Sequence, residues 1–296
     1  MATGIKSEMS NVMLLLQARL ASTRLPQKVL APFCGIPMLA YQVRRLRRAE
    51  CPMIVLTPEH DLGAIQRDTL DSLRCSFADP PVPAEDVVGR FAWFADLLPP
   101  DTLLVRVCGD CPLLCPALLG DLIQWWNATP GLAYLGMGPG WPDGLADYDL
   151  FTREALLAAD RLLLSASDRE HLAPAFWKNL ERFSQMIFPA PAWVREQHWP
   201  KLSVDTPEDL AYVERVAQHV TQVYGEAYTW IDVLAALRDE PALQRAPEPM
   251  NSAYVAQVAQ ERGGAVRDWN SLRYFGASSC SEQRTQVHDN VDNDDA

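Results

Sequence analysis

The sequence predicts an α/β protein with a mostly parallel central sheet. One observation is the recurrence of short, continuous apolar runs such as Val12-Met13-Leu14-Leu15-Leu16, which suit strands buried on both faces. The other is their alternation with stretches of i, i+3/i+4 apolar spacing, the order that βαβ units require.

The first strand is read at 12–16. A helix follows at 37–50 with an exposed basic face of Arg44, Arg45, Arg47 and Arg48, and a second strand at 53–57. Residues 61–73 read as a helix and 75–78 as a short strand. Residues 84–98 form an amphipathic helix through Val87, Val88, Phe91, Phe94 and Ala95. A strand at 101–107 runs into Cys108-Gly109-Asp110, which puts Asp110 at a carboxyl end. Beyond it come a helix at 116–126, a strand at 132–135, a Gly- and Pro-rich loop at 136–149, and helices at 152–164 and 168–179. The short strand 201–204 delivers Asp205 to a helix that Thr206 caps and Pro207 opens, with Glu208 and Asp209 complementing its dipole. Trp125, Trp126, Phe176 and Trp177 read as core or interface residues.

These elements define a flexible N-terminus (1–11) and one domain over 12–240. Pro241, Pro247 and Pro249 mark the start of an extension (241–277) with a helix at 252–262, and 278–296 reads as a disordered acidic tail. The chain has 296 residues, 48% of them hydrophobic, enough for a sizeable core. Its formal net charge of −12 argues against general binding to nucleic acid or anionic membranes, which demands a basic surface. There is no run of 18 apolar residues and no apolar leader near the start, so the expected location is cytoplasmic. The seven cysteines read as reduced thiols. Cys108, Cys111 and Cys115 have a spacing open to zinc or an iron–sulfur cluster. No second paired motif accompanies them, and Gly109-Asp110 and Pro112 interrupt the array.

The chemistry concentrates in residues 17–30. Arg19, Arg24 and Lys28 follow the first strand with Ser22, Thr23 and loop N–H groups between them. In open α/β sheets ligands bind at the strands' carboxyl edge, and this set of donors suits a triphosphate. The competing reading is a solvated basic turn. Asp110 and Asp205, both placed at that edge, would complete a Mg²⁺–triphosphate site, against the plainer reading of a turn residue and a helix cap.

The loop resembles the A-R-x-G-S-T-R-L-P-x-K-x-L signature of the CMP-sugar synthetases, and in particular their spore-coat polysaccharide cytidylyltransferase branch. Segments 106–114, 142–145 (Pro-Asp-Gly-Leu), 169–174 and 202–210 match that branch in order. The resemblance implies a Rossmann-like nucleotide-diphospho-sugar transferase (GT-A-like) fold. It also implies CTP as nucleotide donor, contacted by Gln17, Ala18, Arg19, Ser22, Thr23, Arg24 and Lys28. Mg²⁺ would be held by Asp110 and Asp205, with Arg24 and Lys28 catalytic beside them, and a sugar or sugar acid would be the acceptor. Asp143, Asp147, Asp149, Glu170 and His171 are the candidate acceptor residues. The family carries glycine where this chain has Ala21 and Gln27, and its Asp-x-Glu appears as Asp147-Tyr148-Asp149, displaced by Ala146.

The expected reaction is transfer of CMP from CTP to a small acceptor with release of pyrophosphate. A GT-A-like glycosyltransferase and a degenerate nucleotide-binding subunit are the alternatives, the latter motivated by Ala21 and Gln27. Partners are the substrates, with neither nucleic acid nor membrane; a homodimer is left open.

Overall fold

The computed structural model describes residues 11–69, 76–138, 140–162 and 164–245. In chain order the elements are β1 (Val12–Gln17), a small hairpin of β2 (Pro32–Phe33) and β3 (Ile36–Pro37), α1 (Met38–Leu46), β4 (Met53–Leu56), α2 (Leu62–Thr69), β5 (Ser76–Ala78), α3 (Val87–Ala95) and β6 (Leu103–Cys108). The second half adds α4 (Pro116–Asn127), β7 (Tyr134–Met137), β8 (Tyr148–Thr152), α5 (Arg153–Asp160), α6 (Ala166–His171), α7 (Pro174–Trp177), β9 (Gln185–Phe188), α8 (Ala192–Arg195), α9 (Pro207–Tyr224) and α10 (Trp230–Asp239).

The main sheet has seven strands in the order β5-β4-β1-β6-β8-β7-β9. β1 pairs in parallel with both β4 and β6, and β7 pairs in parallel with β9. Only β8 runs against its neighbours. Because side chains alternate along a strand, Val12, Leu14 and Leu16 enter the core shared with α1, α4, α9 and α10, while Leu15 enters the one shared with α3, α5 and α7. Helices thus cover both faces, which explains why β1 reads as an uninterrupted apolar run. Among the described residues, no helix is long and apolar enough to cross a membrane.

The sequence reading meets several corrections. Residues 201–204 form no sheet strand; they are an extended segment held by two bonds, Leu202 N–H to the Asp143 carbonyl (2.7 Å) and Val204 N–H to the Asp110 carbonyl (2.8 Å). The helix expected at 168–179 is two short ones, because Leu172 turns left-handed (φ 59°) and Pro174 opens a new helix. The strand at 132–135 lies instead at Tyr134–Met137. β8, β9 and α10 have no counterpart in that reading, and β8 takes the end of what reads as a loop. The helices expected at 37–50, 84–98 and 152–164 are shorter, and Arg45 is buried rather than part of an exposed basic face. Residues 70–73 of the second expected helix, the 252–262 helix and the acidic tail lie outside the described residues. Leu243 is buried in the α9/α10 core, and its carbonyl accepts from the Tyr212 hydroxyl at 3.0 Å.

The start of α9 fixes the position of Asp205. The Thr206 hydroxyl accepts from the Asp209 N–H, and the Asp209 carboxylate accepts from the backbone of Thr206, closing a capping box. Asp209 is buried, and it also accepts from Lys201 (3.0 Å) and Arg245 (3.0 Å). Burial opposes its charge, but the Lys201 ammonium outweighs this and holds its pKa below the ordinary value.

Removing one member of such a buried ionic network leaves the others uncompensated. Asp209→Asn is therefore expected to cost about 3–5 kcal/mol of unfolding free energy near neutral pH. The folded-state pKa is depressed, so this contribution is complete above the ordinary carboxylate range, about pH 4, and fades as pH falls through the folded value. Urea unfolding of both proteins across pH checks it: the gap should persist at neutral pH and close only in acid.

Candidate active site

The loop after β1, the Gly109–Cys115 loop after β6 and the loop after β7 all leave the same edge of the sheet, since those three strands run in one direction. The 201–206 segment crosses this edge through its two bonds to the neighbouring loops. Two glycines permit the close approach. A Cβ on Gly109 would lie 2.6 Å from the Gln17 carbonyl oxygen, and one on Gly144, already at φ +87°, would lie 2.2 Å from the Ser203 nitrogen.

Lys28 stands at the centre. Its Nζ lies 2.8 Å from Asp110 Oδ2 and 3.1 Å from Asp205 Oδ1, and donates to the Val204 carbonyl at 3.0 Å. Burial works against its charge, but the Asp110 and Asp205 carboxylates outweigh it and hold the ammonium above its ordinary range. Asp205 also accepts from Lys201 (2.7 Å) and pairs with exposed Arg24 (3.1 Å). Against the effect of burial, its bonds from Lys201 and Lys28 bring its pKa down to about 2, so Asp205 is ionised at any physiological pH.

Arg19 pairs with Glu170 of α6 at 2.9 Å. The Leu20 N–H donates to Asp61, and the Ser22 hydroxyl accepts from the Leu25 N–H at 3.4 Å. Thr23 is exposed. Ala18 is buried and its N–H serves the Leu56 carbonyl, so it offers neither side chain nor amide to a ligand. Gln17 accepts from Arg106 at 3.5 Å. Gln27 adopts φ 55° and ψ 31°, the left-handed conformation for which glycine is best suited.

Beside Asp110 opens a cavity of about 280 Å³ lined by Asp143, Asp147, Asp149, Arg106, Cys108, Cys111, Ser203 and Trp177, among others. Asp143 is hydrogen-bonded by Ser203, and burial moves its pKa up. Asp147 accepts from the Gly144 N–H at 2.5 Å; desolvation, then the Asp143 charge, push it up to about 7, although one side of it is open to solvent. Asp149 is committed elsewhere: it accepts from Arg106 (2.8 Å) and the Tyr134 hydroxyl (2.6 Å) from its place in β8. Burial disfavours the Arg106 charge, but the paired Asp149 carboxylate outweighs it and raises its pKa.

The expected acceptor residues are thus brought together only in part. Asp143, Asp147 and Asp149 share the cavity, whereas exposed His171 does not line it and Glu170 faces Arg19. The cysteines divide among separate tasks. The single Cys111 S–H lies between Asp110 (3.4 Å) and Asp147 (3.6 Å) and can donate to either, Cys115 accepts from the Trp230 backbone N–H, and burial raises both thiols. Among the described residues no group of three or more His, Cys, Asp or Glu side chains is arranged to hold a metal.

Sequence reasoning missed Arg106, Lys201, Ser203 and Arg90. Arg106 and Lys201 are charged residues at or beside strand-like apolar segments, a signal that could have raised the question. Arg90 is fully buried near Arg19, and its Nε and Nη1 have no hydrogen-bond partner in the structure. Trp177, read as core, is both buried and part of the cavity wall.

One edge of the α/β sheet thus gathers a cationic loop, two carboxylates and an acidic cavity. Residues 13–228 match the sequence profile described as Cytidylyltransferase, and the chain belongs to that family. Over 113 residues it is 33% identical to the 3-deoxy-manno-octulosonate cytidylyltransferase of Parvibaculum lavamentivorans, a match spanning 36% of this chain and 42% of that protein. The fold is similar to that of a cytidylyltransferase from Leptospira borgpetersenii (TM-score 0.69, 23% identity, 81% of this chain and 100% of the other). It is also similar to CMP:2-keto-3-deoxy-manno-octonic acid synthetase complexed with CTP (TM-score 0.54, 16% identity, 71% and 99%).

The left-handed Gln27 gives a local test. A β-branched residue tolerates this conformation worst and glycine best, so Gln27→Val should lose about 1–2 kcal/mol while Gln27→Gly should match or exceed the parent. Chemical unfolding of the two variants measures the difference.

Proposed function

We propose that this chain transfers CMP from CTP to an oxygen of a small acceptor of the sugar-acid class and releases pyrophosphate, as a member of the spore-coat polysaccharide-like branch. Family membership supports the nucleotide, and the observation that carries the reading is Lys28 bridging Asp110 and Asp205 next to Arg24, at the mouth of the Asp143/Asp147 cavity. The unit responsible is residues 12–240.

The Lys28, Arg24 and Arg19 cations meet the triphosphate oxygens and steady the leaving pyrophosphate. Once they have exchanged their present carboxylate partners for phosphate oxygens, these cations offset the negative charge that develops on the leaving group. Asp143 and Asp147 accept hydrogen bonds from acceptor hydroxyls and hold the attacking oxygen near the α-phosphorus, converting a bimolecular encounter into a positioned one.

The residues also fit Mg²⁺. Asp110 and Asp205 are hard oxygen donors converging on a single cation, the Lys28 ammonium, and Asp205 stays ionised; Mg²⁺ is typically held by one or two carboxylates plus substrate phosphates. When bound, the ion supplies charge neutralisation of the phosphates. The glycosyltransferase alternative would take Asp147-Tyr148-Asp149 as its D-x-D metal motif, and it draws less support because the second acid is locked to Arg106 and Tyr134.

The primary test is pyrophosphate release from CTP, ATP, GTP and UTP against a panel of sugars and sugar acids. Release that depends on both CTP and a sugar acid supports the reading, and no release with any pair overturns it. Asp110→Asn and Asp205→Asn should each fold and lose turnover on the order of 10²-fold or more; parental rates in both would remove the proposed carboxylate pair.

The acceptor side separates from the nucleotide side in kinetics, since an interaction made with one substrate is lost from that substrate's constants. Asp143→Ala is expected to leave CTP affinity nearly unchanged and to raise KM or lower kcat for the acceptor. Calorimetric CTP titration beside acceptor kinetics decides it, and loss of CTP binding in a folded variant would place the cavity on the wrong substrate.

A further inference from the structure

A second cavity, of about 410 Å³, lies between the end of α1 and the end of α9, walled by Tyr41, Arg44, Arg45, Arg48, Glu226 and Tyr228. It is remote from the reaction edge. α9 begins beside Asp205, and Thr221, which also lines this cavity, is about 20 Å further along at about 1.5 Å per residue. α1 likewise runs back from that edge, because parallel β4 begins a few residues after its end.

The base of the cavity is built from buried groups. Arg45 is 4% exposed; it donates to the Leu114 and Tyr228 carbonyls and lies flat on the Tyr228 ring, 3.6 Å from its centroid. The Tyr41 and Tyr228 hydroxyls bond each other at 3.0 Å. That bond uses one hydroxyl hydrogen and leaves the other to donate. Above them stand Arg44 and Arg48, both exposed. Arg48 pairs with Glu226, an exposed carboxylate, at 2.9 Å, and Arg44 has no ion pair among the described residues.

Three guanidiniums against one carboxylate give this cavity a cationic surplus in a chain of net charge −12. A basic final turn is ordinary helix chemistry. A buried arginine seating a tyrosine under two exposed forks goes beyond it, because it gives a half-open hollow of ligand size a rigid floor beneath two guanidiniums. Planar guanidinium forks match phosphate oxygens bidentately. We infer that this cavity is a second anion site, distinct from the reaction edge, that takes a phosphate or diphosphate group, free or carried by a nucleotide. The inference stands on this cavity alone and is independent of the reaction assigned to the other edge.

The test is calorimetric titration of the full chain, without added metal, using inorganic phosphate, pyrophosphate and CMP as separate probes. The proteins compared are the parent, Arg44→Glu/Arg48→Glu, and Arg24→Ala/Lys28→Ala. Both distal positions are exposed, so that variant should keep the parent's circular dichroism and melting transition. The parent should show two classes of site for at least one probe. The distal variant should weaken one class by about 10-fold or more, and the loop variant should weaken only the other. Loss confined to CMP assigns the site to a nucleotide, and loss shared by pyrophosphate or phosphate assigns it to the free anion. Binding of all three probes to the folded distal variant as to the parent, or loss of all probe binding in the folded loop variant, overturns the inference.

Discussion

The Lys28 ammonium ties together parts of the chain that lie far apart in sequence. Its partners Asp110, Val204 and Asp205 lie 82, 176 and 177 residues away. A charged group this little exposed is tolerable only when it is paired and hydrogen-bonded. The loop after β1 must therefore fold over the edge where β6 ends, and the 201–206 segment must come across to meet it. The Val204–Asp110 and Leu202–Asp143 backbone bonds then stitch that segment down. Asp110, Asp205 and the acidic cavity are neighbours as a consequence.

Where a segment's burial is set by the sheet, its sequence was readable. β1 is covered on both faces, so it is apolar without interruption, and β6 is nearly so. The end of α9 that positions Asp205 was equally plain, because Thr206, Pro207 and Asp209 each act within one turn. The segment before it was misread for a related reason. Leu202 and Val204 are buried, and a short buried stretch looks like a strand whether its bonds go to a sheet or, as here, to two loops.

β8 was obscured by its own chemistry. Tyr148 and Asp149 look like loop residues, and Asp149 is acceptable inside a sheet only because Arg106 on the paired strand and the Tyr134 hydroxyl on the other side neutralise and bond it. That compensation comes from two segments distant in sequence, so no local pattern announces it. The same holds for Glu170: on α6 it reads as an acid beside a histidine, and only tertiary folding pairs it with Arg19. Residues on the signature loop were found by type and spacing, whereas the partners that set their charge states were not.

These pairings also bear on how the edge works. Arg19, Arg24 and Lys28 each face a carboxylate already: Glu170 for the first, Asp205 for the second, Asp110 and Asp205 for the third. Arg24 is largely exposed, so its pair contributes little stability; Lys28 is enclosed, and breaking its pairs without replacement is costly. Under the proposed function, a triphosphate entering here competes with these carboxylates for the cations, and displacement is easier where a displaced carboxylate has another cation nearby. Asp205 has Lys201 for this, 2.7 Å away and anchored in turn by buried Asp209. Asp110 has no second basic partner among the described residues, so under the proposed function its charge is the one that a divalent cation arriving with the nucleotide would balance. The capping box of α9, which holds Asp209 in place, is in this way part of the machinery that lets Lys28 be shared.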